Sequence, residues 1–398
     1  MINTVLTMRS ALKFVLLCCF IALSVKGLSD PKQSVQEILS FADIQINGPK
    51  PSDIQVHDER FYERVLKEGS LGFGESYMDG WWDSQALDEC MFKILRANLE
   101  NKVKPTWSMR FDIFKAKIFN MQNKGRSAEV IEQHYEIGDN LYEYMLGDTL
   151  AYTCAYWKNA STLDQAQEAK FDLIAKKLGL EKGMKVLDLG CGWGGFSRHI
   201  AQNYGVEVVA VNLSEQQAAY VKKICVGLPV EVRVQDYRDT QGTFDRIISI
   251  GLMEHVGQKN YRGFMELAHR CLTDDGLLLV HTIGRNTSVV TTDPWINKYI
   301  FLNAHLPSNS QLSEAFQGLF VMEDWHNFST SYDKTLMTWY ENFDRNWDKI
   351  KAEYPDPFYR MWKYYLLSCA GGFRARSLQL WQIVLSKQGV LDGYDSIR

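Results

Sequence analysis

Apolar positions recur along the chain with two different periods, and the period decides what each stretch builds. Over residues 163–178 apolar side chains return every three to four positions, which predicts an amphipathic helix. After it come short runs that are strand-like: residues 186–189, 206–211, 230–234, 244–250, 277–281, 320–325 and 378–386, with helical stretches between most of them. Strand and helix alternating in this way predict an α/β fold with a doubly wound, mostly parallel sheet. The final run follows a helix and has none after it, so it is expected as an antiparallel strand at the sheet edge. Residues 284–319 show no strand pattern over a length that exceeds an ordinary connection, as a lid or substrate channel would.

Upstream the pattern is shorter-ranged. A helical period at 34–42 leads into two alternating stretches, 44–48 and 53–56, then a helical 61–67, a glycine- and aromatic-rich loop at 69–82, and helices at 87–99 and 111–120. These predict a small α+β domain over residues 30–120, a polar linker over 121–133 and a second domain over 134–398. Residues 1–29 are a separate matter. Arg9 and Lys13 precede an apolar run at 14–25, and Ala22-Leu23-Ser24 offers small residues for cleavage, as in a secretory signal. The run is short for a membrane span. Three readings stay open: an extension or tether, a cleaved signal, or a chain starting at Met8.

Composition narrows the function. A formal charge of -4 on 398 residues argues against a dedicated nucleic-acid binder, which would carry a basic stripe. The basic stretch of Lys102, Lys104, Arg110, Lys115, Lys117, Lys124 and Arg126 is local; it reads as a solvated face or as a contact for anionic phospholipid. The eight cysteines include no C-x-x-C pair, so neither a zinc site nor a redox pair is expected, and reduced cytosolic thiols are the simplest reading.

Chemistry enters at residues 186–195, V-L-D-L-G-C-G-W-G-G, where an apolar strand runs into a glycine-dense turn and then a helix. Glycines let a backbone turn sharply and approach a ligand, and the helix start presents free N–H groups. The next strand ends at Asn212 rather than at the Asp or Glu that would grip the ribose of NAD, which disfavours a dinucleotide. With Asp188 two residues before Gly190, the unit looks like the S-adenosylmethionine loop of Rossmann-like methyltransferases. In open parallel sheets ligands lie beyond the carboxyl ends of the strands. Three residues there are candidates: Asp236, placed to accept from an adenine amino group, and Glu254 and His281, placed near the methyl group. Glu254 also reads as a helix-start carboxylate and His281 as a satisfied core histidine.

Beyond this loop, G-S-L-G-F-G-E-S-Y-M-D-G-W-W, H-Y-E-I-G-D-N, Y-T-C-A-Y-W, M-E-H-V-G, H-T-I-G, D-P-W-I-N-K-Y-I-F and F-R-A-R occur in one order. Together they closely resemble the cyclopropane-fatty-acyl-phospholipid synthases from about residue 34 onward; the mycolic-acid cyclopropane synthases are similar over the second domain only. The resemblance implies a Rossmann-like S-adenosylmethionine-dependent catalytic domain, with a small amino-terminal domain that assists lipid binding and dimerisation. It implies methylene transfer to the cis double bond of unsaturated membrane phospholipid, by a homodimer at the inner face of the cell membrane. It also implies a bicarbonate ion as base, held by the backbone at Cys154 and Ile283 and the side chains of Glu254, His281 and Tyr332. Cofactor contacts carried over are Tyr152, Asp188, Gly190, Gly192, Gly194, Asn212, Gln217 and Asp236. Cys369, in S-C-A-G-G-F-R-A-R, reads as structural or channel-lining, with no base spaced to activate it. The chain departs from the family at Leu302-Asn303-Ala304-His305, where Pro-Asn-Gly is more usual, and at Asn212, often Thr. Two alternatives remain: methyl transfer to an unsaturated lipid without ring closure, and a non-catalytic lipid-binding protein on a decayed methyltransferase fold.

Overall fold

The structure, a computed structural model, describes residues 30–99, 139–289 and 291–398. The apolar run at 14–25, the basic stretch at 102–126, the helix expected at 111–120 and the linker at 121–133 lie outside these residues. The chain opens with α1 (Pro31–Ser40), β1 (Gln55–Val56), α2 (Arg60–Glu68), α3 (Ser70–Met78), β2 (Trp82–Asp83), which is antiparallel to β1, and α4 (Leu87–Arg96). The two strands expected at 44–48 and 53–56 reduce to one Ile46–Ile54 bridge and the β1–β2 pair. The reason is local: the Asp53 carboxylate accepts from Gln45 N and Lys50 N, both at 2.9 Å, and this side-chain turn displaces a ladder.

The loop expected at 69–82 is instead mostly helix, α3. Its glycines serve close approach rather than chain reversal. A Cβ on Gly72 would sit 2.6 Å from the Arg64 carbonyl oxygen, and one on Gly74 would overlap the Trp295 indole. Gly74→Ala is therefore expected to destabilise the protein by about 1–3 kcal/mol, read as a lowered Tm, since Trp295 is buried and has nowhere to retreat.

The second half begins with α5 (Asp139–Leu146) and α6 (Leu163–Lys177), the latter capped by Thr162, whose hydroxyl accepts from Gln165 N. Then strand and helix alternate: β3 (Lys185–Leu189), α7 (Gly195–Tyr204), β4 (Glu207–Asn212), α8 (Glu215–Ile224), β5 (Val230–Val234), β6 (Phe244–Ile250), α9 (Met253–Val256), α10 (Tyr261–Cys271) and β7 (Leu272–Gly284). The expected non-strand segment follows and carries α11 (Pro294–Tyr299) and α12 (Asn309–Phe316), before β8 (Val321–Asn327), α13 (Thr330–Ile350), α14 (Pro357–Arg374) and β9 (Gln379–Ser386). The seven strands β3 to β9 form one sheet in the order β5-β4-β3-β6-β7-β9-β8. The first five are mutually parallel, and β9 runs antiparallel to both β7 and β8.

The antiparallel direction of the last strand agrees with the sequence reading, but its expected edge position does not. β9 lies inside the sheet and β8 forms the edge. Burial explains the exchange: every residue of β9 is buried, whereas Val321 and Met322 of β8 are exposed and Glu323 stands beside them.

Helices cover both faces of the sheet, with α10 and α12 contributing to one apolar cluster and α6 and α7 to the other. A third cluster joins the amino-terminal unit to α13 and α14. At the α4–α14 crossing a Cβ on Gly371 would lie 2.7 Å from both Asp88 O and Phe92 N, so only glycine permits that approach. Arg374, the first arginine of F-R-A-R, ties three helices by donating to both carboxylate oxygens of Asp333 at 3.0 Å and to Asp88 at 2.7 Å. Among the described residues no helix is long and apolar enough to cross a membrane.

Candidate active site

The strand order reverses beside β3, and the turn after β3 opens a cavity at the carboxyl ends of the parallel strands. Gly190, Gly192 and Gly194 have φ of 83°, 53° and 78°, in the left-handed region that favours glycine. A Cβ on Gly194 would meet Val221 at 2.7 Å, whereas one on Gly192 would meet nothing within 4 Å. Gly192 thus leaves open space on a cavity wall. Asp188, buried at the end of β3, accepts from Ser197 Oγ of α7 at 2.6 Å; burial raises its pKa to about 6, against the lowering effects of that bond and of Lys170. Asn212 braces the turn from β4, donating to Gly192 O at 2.9 Å and to Gln217 Oε1 at 3.2 Å. That leaves Gln217 Nε2 buried in the wall without a partner.

The opposite wall carries the ionisable groups. Glu254 lies in α9, immediately after β6, where its Oε1 accepts from Ile283 N at 2.6 Å and its Oε2 is buried with no partner. Desolvation raises its pKa to about 7 in spite of the Ile283 bond. From the segment between α11 and α12, His305 N donates to Glu254 O at 2.8 Å and so fixes α9. His281, on β7 and 1% exposed, has Nδ1 facing Gln382 Nε2 of β9 at 3.3 Å, while its Nε2 has no partner. Burial holds His281 well below its ordinary pKa, so the ring is neutral. With the Gln382 amide assigned as donor, the ring proton stands on Nε2.

Tyr332, in the first turn of α13, stacks on Phe373 at 4.5 Å and meets Trp339 edge-on at 5.9 Å; burial pushes its hydroxyl pKa up. The Y-T-C-A-Y-W loop is pinned to the same helix, because Thr335 Oγ1 accepts from Ala155 N at 3.2 Å and from Trp157 Nε1 at 2.9 Å. Cys154 in that loop donates its thiol to Ala155 O at 3.2 Å, and burial raises its pKa well above the ordinary thiol value, so it is no thiolate. Tyr152 and Tyr365 share a hydroxyl–hydroxyl bond at 2.9 Å.

Of the residues singled out from sequence, Tyr152, Cys154, Asp188, Gly190, Gly192, Gly194, Gln217, Glu254, His281, Ile283 and Tyr332 all line this one cavity. Three do not. Asn212 acts behind the glycine turn. Asp236 spends its carboxylate on Arg238, accepting from its backbone N at 2.9 Å and its guanidinium at 3.0 Å. Cys369 is half-buried against the helical cluster, its pKa raised to about 12 by burial. The Ile283 N–H, expected to face an anion, is engaged by Glu254 instead. Lys170, His255, Phe301 and Tyr365 also line the cavity and were not singled out from sequence. Among the described residues no cluster of side chains could hold a metal ion.

The family model described as mycolic acid cyclopropane synthetase matches residues 122–383. The chain is 49% identical over 357 residues to the cyclopropane-fatty-acyl-phospholipid synthase of Escherichia coli strain K12, covering 90% of this chain and 93% of that one. This chain belongs to the mycolic acid cyclopropane synthetase family. Among solved structures, the cyclopropane synthase MmaA2 from Mycobacterium tuberculosis superposes with a TM-score of 0.62 at 31% identity, covering 65% of this chain and 98% of that one. Mycolic acid cyclopropane synthase CmaA1, complexed with SAH and CTAB, gives 0.61 at 32% identity, with the same coverage of both chains. Membership accounts for the mixed sheet: it is the Rossmann-like methyltransferase sheet of these relatives, and the matched residues include every cavity-lining candidate named above.

Proposed function

We propose that this chain transfers a methylene group from S-adenosylmethionine to the cis double bond of acyl chains in membrane phospholipids, leaving a cyclopropane ring. The observation that carries the reading is one cavity shared by the glycine turn and by two buried, unpartnered polar atoms, Glu254 Oε2 and His281 Nε2. The wall fits the cofactor: Gly192 leaves room for close approach, Gln217 Nε2 awaits an acceptor, and Asp188 supplies negative charge. When bound, S-adenosylmethionine supplies an electrophilic methyl group. The protein's part is to position and to shield. Tyr152, Phe301, Tyr332 and Tyr365 present aromatic surface to positive charge developing on the acyl chain, and their bulk keeps water from capturing it.

A proton must also leave the added carbon. His281 Nε2 as donor and Glu254 Oε2 as acceptor suit a small oxyanion such as bicarbonate, with Tyr332 and the Cys154 backbone as further holders; such an ion would supply the base. Ile283 would join them only if the Glu254 carboxylate released its N–H.

The test of the main reading is incubation with S-adenosylmethionine and vesicles of unsaturated phospholipid, followed by proton nuclear magnetic resonance of the released fatty acids. Upfield ring protons are the expected product signal. A methyl branch without them would indicate transfer without closure, and no new product would overturn the reading.

Gly192→Ala is expected to weaken binding of the cofactor roughly tenfold or more, because the added methyl occupies the approach and the φ of 53° suits glycine. Unchanged affinity by calorimetry would contradict the placement.

We place the enzyme in the cytoplasm, as a homodimer peripherally docked on the inner face of the cell membrane, with the basic stretch from Lys102 to Arg126 as the lipid contact. Reversing Lys102, Lys104 and Arg110 should then reduce binding to anionic vesicles, most of all at low salt. Equal binding by parent and variant would remove this stretch from the account.

A further inference from the structure

Among the described residues Lys170 is the one buried cation on the cavity wall, and the chemistry above leaves it without a task. It sits on α6, 0% exposed, with its Nζ donating to Thr153 Oγ1 at 2.8 Å and lying 4.7 Å from the Phe171 ring centroid. An ammonium has three protons to place, and a single neutral hydroxyl is poor compensation for the desolvation of a charge. Asp188 lines the same cavity and is spent on Ser197 rather than on Lys170. The cavity therefore holds two buried groups of opposite charge that feel each other's field but share no hydrogen bond.

We infer that Lys170 receives the carboxylate of the cofactor's amino-acid end, while Asp188 faces its ammonium group. An α-amino-acid head carries both charges on one carbon, which matches a fixed cation and a fixed anion on the wall of one cavity. Thr153 holds the ammonium of Lys170 in place, between Tyr152 and Cys154 in the loop that α13 pins. The small oxyanion of the proton-transfer step has the same carboxylate-like chemistry and is the competing source, since His281 and Cys154 also lie within reach of the Lys170 charge. Asp188 decides between them: beside it, an anion without an ammonium of its own is repelled, and a zwitterion is not. Burial lowers the Lys170 pKa to about 7, and a carboxylate laid against it restores the charge.

The inference rests on the proposed cofactor, and two ligands separate the claims. S-adenosylhomocysteine carries the amino-acid end; 5′-methylthioadenosine shares its nucleoside and thioether but lacks that end. In titration calorimetry Lys170→Met should weaken S-adenosylhomocysteine roughly tenfold or more while leaving methylthioadenosine within about twofold. Lys170→Gln, which keeps a polar partner for Thr153, repeats the comparison if the methionine variant does not melt cooperatively. Equal losses for both ligands, or no loss for either, would overturn the assignment. So would intact S-adenosylhomocysteine binding with an altered bicarbonate requirement, which would give Lys170 to the oxyanion. If the parent protein binds neither compound, the cofactor reading itself fails and takes this one with it.

Discussion

Glu254→Gln is expected to lose activity by about 100-fold or more while becoming more stable relative to the parent as pH rises. The activity loss follows from position. Glu254 Oε2 is buried, unpartnered and on the cavity wall, and an amide there places a donor where an acceptor is needed. The stability change follows from the raised pKa. A carboxyl with a folded value of about 7 and an ordinary value of 4.5 binds its proton more tightly in the folded state. Between those values the unfolded chain has released the proton and the folded one has not, so stability falls as pH climbs and stays lower above pH 7. Glutamine has no such proton. The gain of variant over parent should thus be larger at pH 8 than at pH 5 by about 2–3 kcal/mol, a difference that cancels any constant cost of burying the amide. Oε1 of the glutamine can still accept from Ile283 N, so the fold and cofactor affinity should persist. Chemical denaturation at the two pH values, beside turnover, tests both halves. A stability difference that does not grow with pH would mean that Glu254 is not the buried acid of raised pKa described here.

What the sequence disclosed followed the range of the interactions involved. The glycine turn was legible because strand, turn and helix are contiguous and Asp188 stands two residues from the first glycine. Glu254 was legible because it follows a strand whose pattern is clear, and His281 because it lies near the end of one, although β7 runs on past it to Gly284. The position of β9 was not, since strand order depends on pairing between distant segments. A signal was available in Trp381-Gln382-Ile383-Val384-Leu385, where apolar side chains at successive positions fall on both faces of the strand, as an interior strand requires. The edge assignment hid Gln382: only with β9 beside β7 does its register set Gln382 against His281. Lys170 was overlooked for a different reason. It falls four residues after Ala166 and four before Ile174, on the buried stripe of α6, so a helical projection of 163–178 would have placed a lysine in the core. The helix at Ser70–Met78 was obscured by its glycines, whose purpose is set by Arg64 and Trp295, one in the preceding helix and the other more than two hundred residues away.

Removing bicarbonate from the assay should lower turnover roughly tenfold or more, with recovery when it is added back. His281 is neutral, and with the Gln382 amide as donor to its Nδ1 its Nε2 offers a proton rather than takes one. Tyr332 has its pKa raised by burial and keeps its proton as well. Cys154 is likewise a thiol. Among the proposed holders of the ion, that leaves Glu254 itself or the ion held beside it. Bicarbonate carries its own proton, which can bridge to Glu254 Oε2 while His281 Nε2 donates to another of its oxygens, so that the two unpartnered atoms are satisfied together. The two possibilities separate in carbonate-free buffer. If Glu254 itself removes the proton, turnover there should be undiminished and should rise with pH through about 7 as the carboxyl ionises. If it holds the ion, turnover should be low at every pH until bicarbonate returns, and Glu254→Gln should need more bicarbonate than the parent to reach half of its own maximal rate.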